Sequence, residues 1–312
     1  MTFPLLQAHA TFRRSALMLA LVLSGAGEAS LRAADLPFDF STIEKITGLK
    51  GTRNDAEGVF KVSAPRTDIA VTVDGWKMPP FMGLTSWAAF TAGGNAEAMV
   101  MGDLVLFEDE VNSVMSAALS SGLAVTALHN HFFFDQPKVY FMHIGGEGTA
   151  TALATGVKSA LDAIKQVRAI HAEPARSFGA RNLPAQSRVS AAPLEKILDA
   201  KAQQNSGMAK FVFGREVAME CGCKVGKEMG VNTWAAFAGS DDDAVVDGDF
   251  ATTSGELQGV LKELRAGGIA IVAIHHHMTE ETPRIIFLHY WGRGKPVELA
   301  TTLKNAIATQ RK

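Results

Sequence analysis

Nine histidines occur in the 312 residues, and seven of them fall in two stretches of one design. The first, ALHNHFFFDQPKVYFMHIGG, spans 127–146, and the second, AIHHHMTEETPRIIFLHYWG, spans 273–292. A shift of 146 lays His129 on His275, His131 on His277, Pro137 on Pro283 and His143 on His289. Each copy is a His-x-His pair with a third His twelve residues after the second. Imidazole nitrogens suit divalent transition metals, Zn(II) first and Cu(II), Ni(II) or Fe(II) after it. The matched spacing therefore nominates His129, His131, His143, His275, His277 and His289 as metal ligands. Three protein ligands and an open position make a catalytic kind of site, and four a structural kind. The alternative is a set of hydrogen-bonded histidines supporting each hairpin, and six at matched positions in two copies favour metal over it.

The stretches must be positioned by the elements around them. Leu123 to Leu128 and Ile269 to Ile274 read as strands, each closing on its His-x-His. Turn residues follow at Asp135, Gln136, Pro137 and at Glu281, Thr282, Pro283, and the chain then returns through 138–144 or 284–290. Strand alternation puts His129 and His131 on one face and Asn130 on the other, and likewise leaves His276 outside its set. A three-residue turn at 135–137 pairs His143 with His129 and Phe141 with His131. The same turn at 281–283 pairs His289 with His275, with His277 beside them. Directly paired side chains lie about 4.5–5.5 Å apart at Cβ, so three imidazoles share one face of each predicted hairpin.

A carboxylate is the natural fourth group. Glu110 and Glu256 open the helices that lead into the His strands. They are the candidate general bases if the site is catalytic, although an acid in a first helical turn is favoured by the helix dipole alone. Asp103 and Asp249 are the other matched acids, and a turn role after glycine is the expectation for both. Arg66 and Arg215 follow matched strands, where a surface salt bridge or a bound anion would employ them. Asp135 and Glu281 are expected in solvated turns. Trp87 and Trp234, in matched Trp-Ala-Ala-Phe runs, are expected as core anchors. Cys221-Gly222-Cys223 reads as two small strand residues, since a bridge across one residue would be strained. No nucleophile elbow, P-loop or dinucleotide fingerprint occurs, which withholds support from serine-hydrolase, NTPase and Rossmann readings.

The duplication extends beyond the histidines. Helix-like segments at 40–49 and 193–200, strand-like runs at 58–66 and 207–215, helices from Glu110 and from Glu256, and closing helices at 150–165 and 296–307 all recur. Residues 35–166 and 191–312 are therefore two repeats, and the Arg-, Ala-, Ser- and Pro-rich 167–190 is a linker. Each repeat mixes antiparallel strands with two helices. The expected class is α+β, packed as a pseudo-two-fold pair. Residues 1–34 read as a signal peptide: Arg13-Arg14, then an eleven-residue apolar run too short to span a bilayer as a helix. No Cys follows that run for lipidation, so the expectation is a soluble, exported, periplasmic protein without stable membrane insertion. Composition is 47% hydrophobic and 20% charged with a net charge of -2. That excludes broad disorder and gives no basic excess for nucleic acid.

The set Pro65-Arg66-x-Asp68, Val71-x-Val73-Asp74-Gly75, Ser86-Trp-Ala-Ala-Phe90, Met101-Gly-Asp103, Glu110, Ala127-Leu-His-Asn-His131 and Met142-His143 resembles the LpqO/LppY family of exported bacterial proteins. The resemblance covers both repeats and implies export and duplication, in a family of undefined biochemical function. The leading expectation is a periplasmic protein that binds a transition metal. A metal-dependent hydrolase and a metal-free module for a small anionic or carbohydrate ligand are the alternatives. The expected partners are thus a metal ion or a small molecule, and the sequence fixes no oligomeric state.

Overall fold

The alternating strands and amphipathic helices of each half assemble in the same order twice. The structure, a computed structural model, describes residues 36–179 and 182–310; the signal-peptide reading lies outside them. The first repeat runs α1 (Phe40–Thr47), β1 (Gly51–Asn54), β2 (Val59–Pro65), β3 (Thr72–Val73), β4 (Trp76–Lys77), β5 (Thr85–Ala92), β6 (Ala98–Phe107), α2 (Glu108–Ser120), β7 (Ala124–His129), β8 (Asp135–Gln136), β9 (Val139–Gly148) and α3 (Ala150–Ile170). The second runs α4 (Ala191–Leu198), β10 (Gln203–Asn205), β11 (Met208–Gly214), β12 (Val217–Met219), β13 (Lys224–Val225), β14 (Asn232–Gly239), β15 (Ala244–Thr252), α5 (Ser254–Ala266), β16 (Ala270–His275), β17 (Glu281–Thr282), β18 (Ile286–Gly294) and α6 (Pro296–Thr309). Single 3-10 turns at Pro80–Met82 and Lys227–Met229 are also matched.

Twelve strands form one sheet in the order β1-β2-β5-β6-β9-β7-β16-β18-β15-β14-β11-β10, so equivalent strands appear in mirrored order about the centre. Every pairing between strands of this sheet is antiparallel. Alternation along each strand sends one set of side chains to the helices. Val100, Leu104, Val125, Met142, Val246, Ile271 and Leu288 join α1–α6 in one apolar core that runs through both repeats. The opposite face carries the histidines and two three-stranded mini-sheets, β4-β3-β8 and β13-β12-β17. Small apolar clusters lie beneath these, one around Val105, Phe107 and Phe141 and the other around Ala251, Ile285 and Phe287.

The repeats meet where β7 and β16 pair only at Leu128–Ile274. Both strands carry a bulge just upstream, at Val125/Ala127 and Ile271/Ala273, and a bulge withdraws backbone groups from the ladder. The opposite repeat supplies the missing partners. Asn112 of α2 accepts from Ile271 N at 2.7 Å and donates to Ile271 O at 3.4 Å. Gln258 of α5 accepts from Val125 N at 3.0 Å and donates to Val125 O at 2.8 Å. Buried backbone groups demand such partners, so each helix closes the gap in the other repeat's strand.

Three expectations change here. Helix α3 runs past 165 to Ile170, and its Arg168 pairs with Asp109 and with Glu110 at 3.0 Å. The stretch 167–190 is thus partly anchored. Gly239 N bonds Ser187 Oγ, and Arg188 N bonds Gly239 O. These are polar ties that leave no apolar periodicity to read. Trp87 and Trp234 are half-buried on the histidine face, not core anchors, because alternation gives the core to their neighbours Ala88, Phe90, Ala235 and Phe237. Cys221 and Cys223 are free and exposed in the turn between β12 and β13, where Gly222 takes φ 79°; they are not strand residues.

Candidate metal centre

Residues far apart in sequence reach the histidines through cross-strand rows. In the first repeat Trp87 pairs with Asp103, Asp103 with His143 and His143 with Ala127. In the second the row is Trp234, Asp249, His289 and Ala273. Paired residues share a face, so each row brings a tryptophan, a carboxylate and an imidazole side by side. Asp103 and Asp249 therefore sit mid-strand beside the histidines, not in turns. The glycine before each has a packing reason. A Cβ on Gly248 would meet the buried Tyr290 ring at 2.2 Å and Trp234 O at 2.3 Å, while Tyr290 donates to that same carbonyl at 2.8 Å. On Gly102 a Cβ would meet Trp87 O at 2.7 Å.

The register departs from the expected hairpin by two residues. His129 lies opposite Phe141, and His143 opposite Ala127; the second repeat pairs His275 with Phe287 and His289 with Ala273. The connection is not a tight turn. Residues 130–138 detour through β8, which pairs with β3, and 276–285 detour through β17, which pairs with β12. A two-residue shift preserves which face each side chain takes, so the imidazoles still converge. His131 and His277 lie beyond the strand ends and are held by stacking, 3.4 Å over Phe141 and 3.5 Å over Phe287 between ring centroids.

In the first cluster His129 Nε2 is 3.1 Å from His143 Nε2, and the His131 ring lies 5.1 Å from that of His129. In the second, His277 Nε2 is 3.1 Å from His275 Nε2 and 3.4 Å from Asp249 Oδ2. His289 Nδ1 is 4.0 Å from Asp249 Oδ1, and its ring is 4.8 Å from that of His275. Among the described residues, Asp249, His275 and His277 form a group that could hold a metal, one ligand atom from each lying within 4.8 Å of the others. Two nitrogens each about 2.0–2.1 Å from one tetrahedral ion lie about 3.3–3.4 Å apart, close to the spacings seen. Asp249 Oδ1 and His275 Nδ1 are buried without a hydrogen-bond partner, as is Asp103 Oδ1. Buried polar atoms without a partner require an explanation, and a bound ion is one that suits this set.

Electrostatics agree with a cation site. Burial, then the neighbouring His289 and His277, pushes His275 down to about 4, so it is neutral at neutral pH; a ligating imidazole must be neutral. Burial likewise lowers His131, with His129 adding to the effect. Burial raises Asp249 against the pull of His289 and His277. A divalent ion would restore its charged form.

Glu110 and Glu256 are not brought to the histidines. Glu110 is fully buried and grips Arg66 bidentately at 2.7 and 3.0 Å, while accepting from Phe107 N at 2.8 Å. Glu256 holds Arg215 at 2.5 and 3.0 Å and accepts from Thr253 N at 2.8 Å. These are helix-start carboxylates locked in ion pairs, and a carboxylate held in its charged form by an arginine is a poor general base. Arg66 is buried rather than at the surface. Asp135 and Glu281 are buried too, not solvated. Their carboxylates accept from Val139 N at 2.7 Å and Ile285 N at 3.0 Å, because the mini-sheets fold each turn back over the main sheet.

The aspartates carry a signal that strand alternation makes readable: Met99, Met101, Asp103 and Val105 share one face, opposite to Val100 and Leu104. A family model matches residues 41–163 and again 192–309. The chain belongs to the family described as a Domain of Unknown Function (DUF1259), present here as two copies. No curated protein matches it. Among solved structures, the crystal structure of a trimeric bacterial microcompartment shell protein, PduB, is similar over 81% of this chain and 86% of that one. The identity is 10% and the TM-score 0.21, a likeness that carries no argument. Among the described residues, no helix is long and apolar enough to cross a membrane.

Proposed function

We propose that the chain binds a divalent transition metal ion, Zn(II) first among the candidates, through Asp249, His275 and His277 with His289 alongside. A second site uses His129, His131 and His143 beside Asp103. The observation that carries this reading is the 3.1 Å approach of two imidazole nitrogens in each repeat, next to a buried aspartate oxygen that has no partner. When bound, the ion supplies Lewis acidity or a stored cation; the chain's own residues fix the rings by stacking and exclude water from Asp249. The two repeats, 35–166 and 191–312 about the linker 167–190, pack about an approximate two-fold axis, which the mirrored strand order supports. Export to the periplasm, as in the LpqO/LppY proteins the sequence resembles, is part of the proposal. The test is metal analysis of the purified chain with Zn(II) titration. About one ion per occupied cluster is expected, and loss of the second-repeat ion in His275→Ala/His277→Ala. An unchanged affinity in that variant overturns the reading.

A metal-dependent hydrolase is a second reading. A cavity of about 640 Å³ between the repeats is lined by His289, Tyr140, Trp291 and Asp247, room enough for a small substrate. With Glu110 and Glu256 held in ion pairs, Asp249 or a histidine would have to move the proton. Turnover of ester or phosphoester substrates that stops in chelator distinguishes this reading. Ligand binding that survives chelator instead identifies a metal-free module.

A further inference from the structure

The second metal cluster opens onto a smaller cavity of about 330 Å³, and two of its candidate ligands, Asp249 and His277, form part of the wall. Lys210, Lys227, Asn232 and Trp234 line more of the wall. Each lysine is positioned. Lys210 Nζ lies 4.3 Å over the Trp234 ring, a cation–π contact that steers the ammonium. Lys227 lies across Gly214, where an added Cβ would meet its Cβ at 2.7 Å, and its carbonyl accepts from Asn232 Nδ2 at 2.7 Å. Only a glycine at 214 leaves room for that stem.

The charges decide what fits. Lys210 and Lys227 are balanced by Asp249 and by Glu228, which lies 3.5 Å from Lys227. A divalent cation on Asp249 breaks that balance and leaves the cavity positive. We infer that the metal-loaded cavity takes a small oxyanion, a carboxylate or phosphate, with one oxygen on the open metal position and the others on Lys210 and Lys227. The inference rests on the metal reading above and deepens it. Cation and anion then bind with positive, reciprocal coupling. The first repeat keeps Lys61 4.2 Å over Trp87. It has Pro80, Phe81 and Thr85 where the second has Lys227, Glu228 and Asn232, so the anion belongs to the second repeat.

The test loads the full chain with Co(II) and follows its visible d–d bands. Inorganic phosphate and acetate are titrated separately, to tell a phosphate site from a carboxylate one. A saturable spectral change is expected with at least one of them. Lys210→Ala/Lys227→Ala should keep its Co(II) affinity and lose anion affinity at least about tenfold, the scale of one charge-assisted contact. Lys61→Ala should change neither. Normal Co(II) binding with spectra insensitive to both anions, or an unweakened double variant, overturns the inference alone. No Co(II) binding overturns the metal reading and the inference together. Phosphate binding by calorimetry that is undiminished in chelator overturns the coupling on which the inference stands.

Discussion

The side chains of Arg66 and Glu110 are 6% and 0% exposed, whereas those of Arg215 and Glu256 are 26% and 16% exposed. Around the histidines the ranking reverses in kind. The second repeat holds the compact triad with its buried aspartate, while Asp103 is only half-buried. The rims differ as well. Phe81, Phe133 and Phe134 are exposed in the first repeat, with Phe134 at φ 58°; their counterparts Glu228, Thr279 and Glu280 are polar. One fold has been kept twice, then. In the first repeat burial is concentrated on the ion pair that clamps α2, α3 and β2, and in the second on the aspartate beside the histidines. A duplicated scaffold can divide stability and ligand chemistry between its copies, because each site depends on local burial more than on the shared topology.

Breaking the two arginine pairs is the strongest test of that division. Arg66→Ala removes the bidentate partner of the buried Glu110, leaves it Arg168 at 3.0 Å, and should cost up to about 3–5 kcal/mol of unfolding free energy. Arg215→Ala should cost roughly 1–3 kcal/mol. Urea midpoints of the two variants measure the gap, and equal losses would erase the contrast. The junction should behave symmetrically instead. Asn112→Ala and Gln258→Ala each strand a backbone N–H and C=O, a loss of about 1–3 kcal/mol apiece. A double-mutant cycle would show near-additivity if the two clamps act independently.

Metal binding should favour the second repeat. Asp249→Asn is expected to weaken Zn(II) binding by about 10–100-fold, the range for groups that support or complete a site, and Asp103→Asn by less. Competition against a chromophoric chelator reads both, and the opposite ranking would transfer the principal site to the first repeat. The smallest effect is one of pH. Burial pushes Glu256 up, but the Arg215 hydrogen bond, the Thr253 N–H and the Arg215 charge together outweigh it and hold the carboxyl below its ordinary 4.5. A depressed carboxyl contributes stability that is present above the unfolded value and lost as pH falls through the folded one. Wild type should therefore lose thermal stability more steeply than Glu256→Gln below about pH 4.5.

The histidine spacing was readable because a strand's period is fixed by covalent geometry. A two-residue change of register kept the faces and still left His129 beside His143 and His275 beside His289. The pairing itself was not readable. It depended on β8 and β17 leaving the hairpin to join β3 and β12, and those two-residue strands carry no periodicity of their own. The tryptophans and the Gly-Asp motifs depart from local expectation for one shared reason. Local rules place an aromatic in the core and an Asp after Gly in a turn, yet alternation along β5, β6, β14 and β15 assigns both to the histidine face.

By itself the sequence determined the duplication, the antiparallel strands with their helices, the six histidines and the acids that start α2 and α5, since these rest on periodicity, capping and repetition along the chain. Only the tertiary structure decided which carboxylate meets the imidazoles. Cross-strand neighbours are separated by some forty residues in the chain and by a single strand spacing, about 4.8 Å, in the sheet. It also decided that Arg66 and Arg215 would take Glu110 and Glu256 away from chemistry, because a buried charge goes to the partner that the packing brings within hydrogen-bond reach.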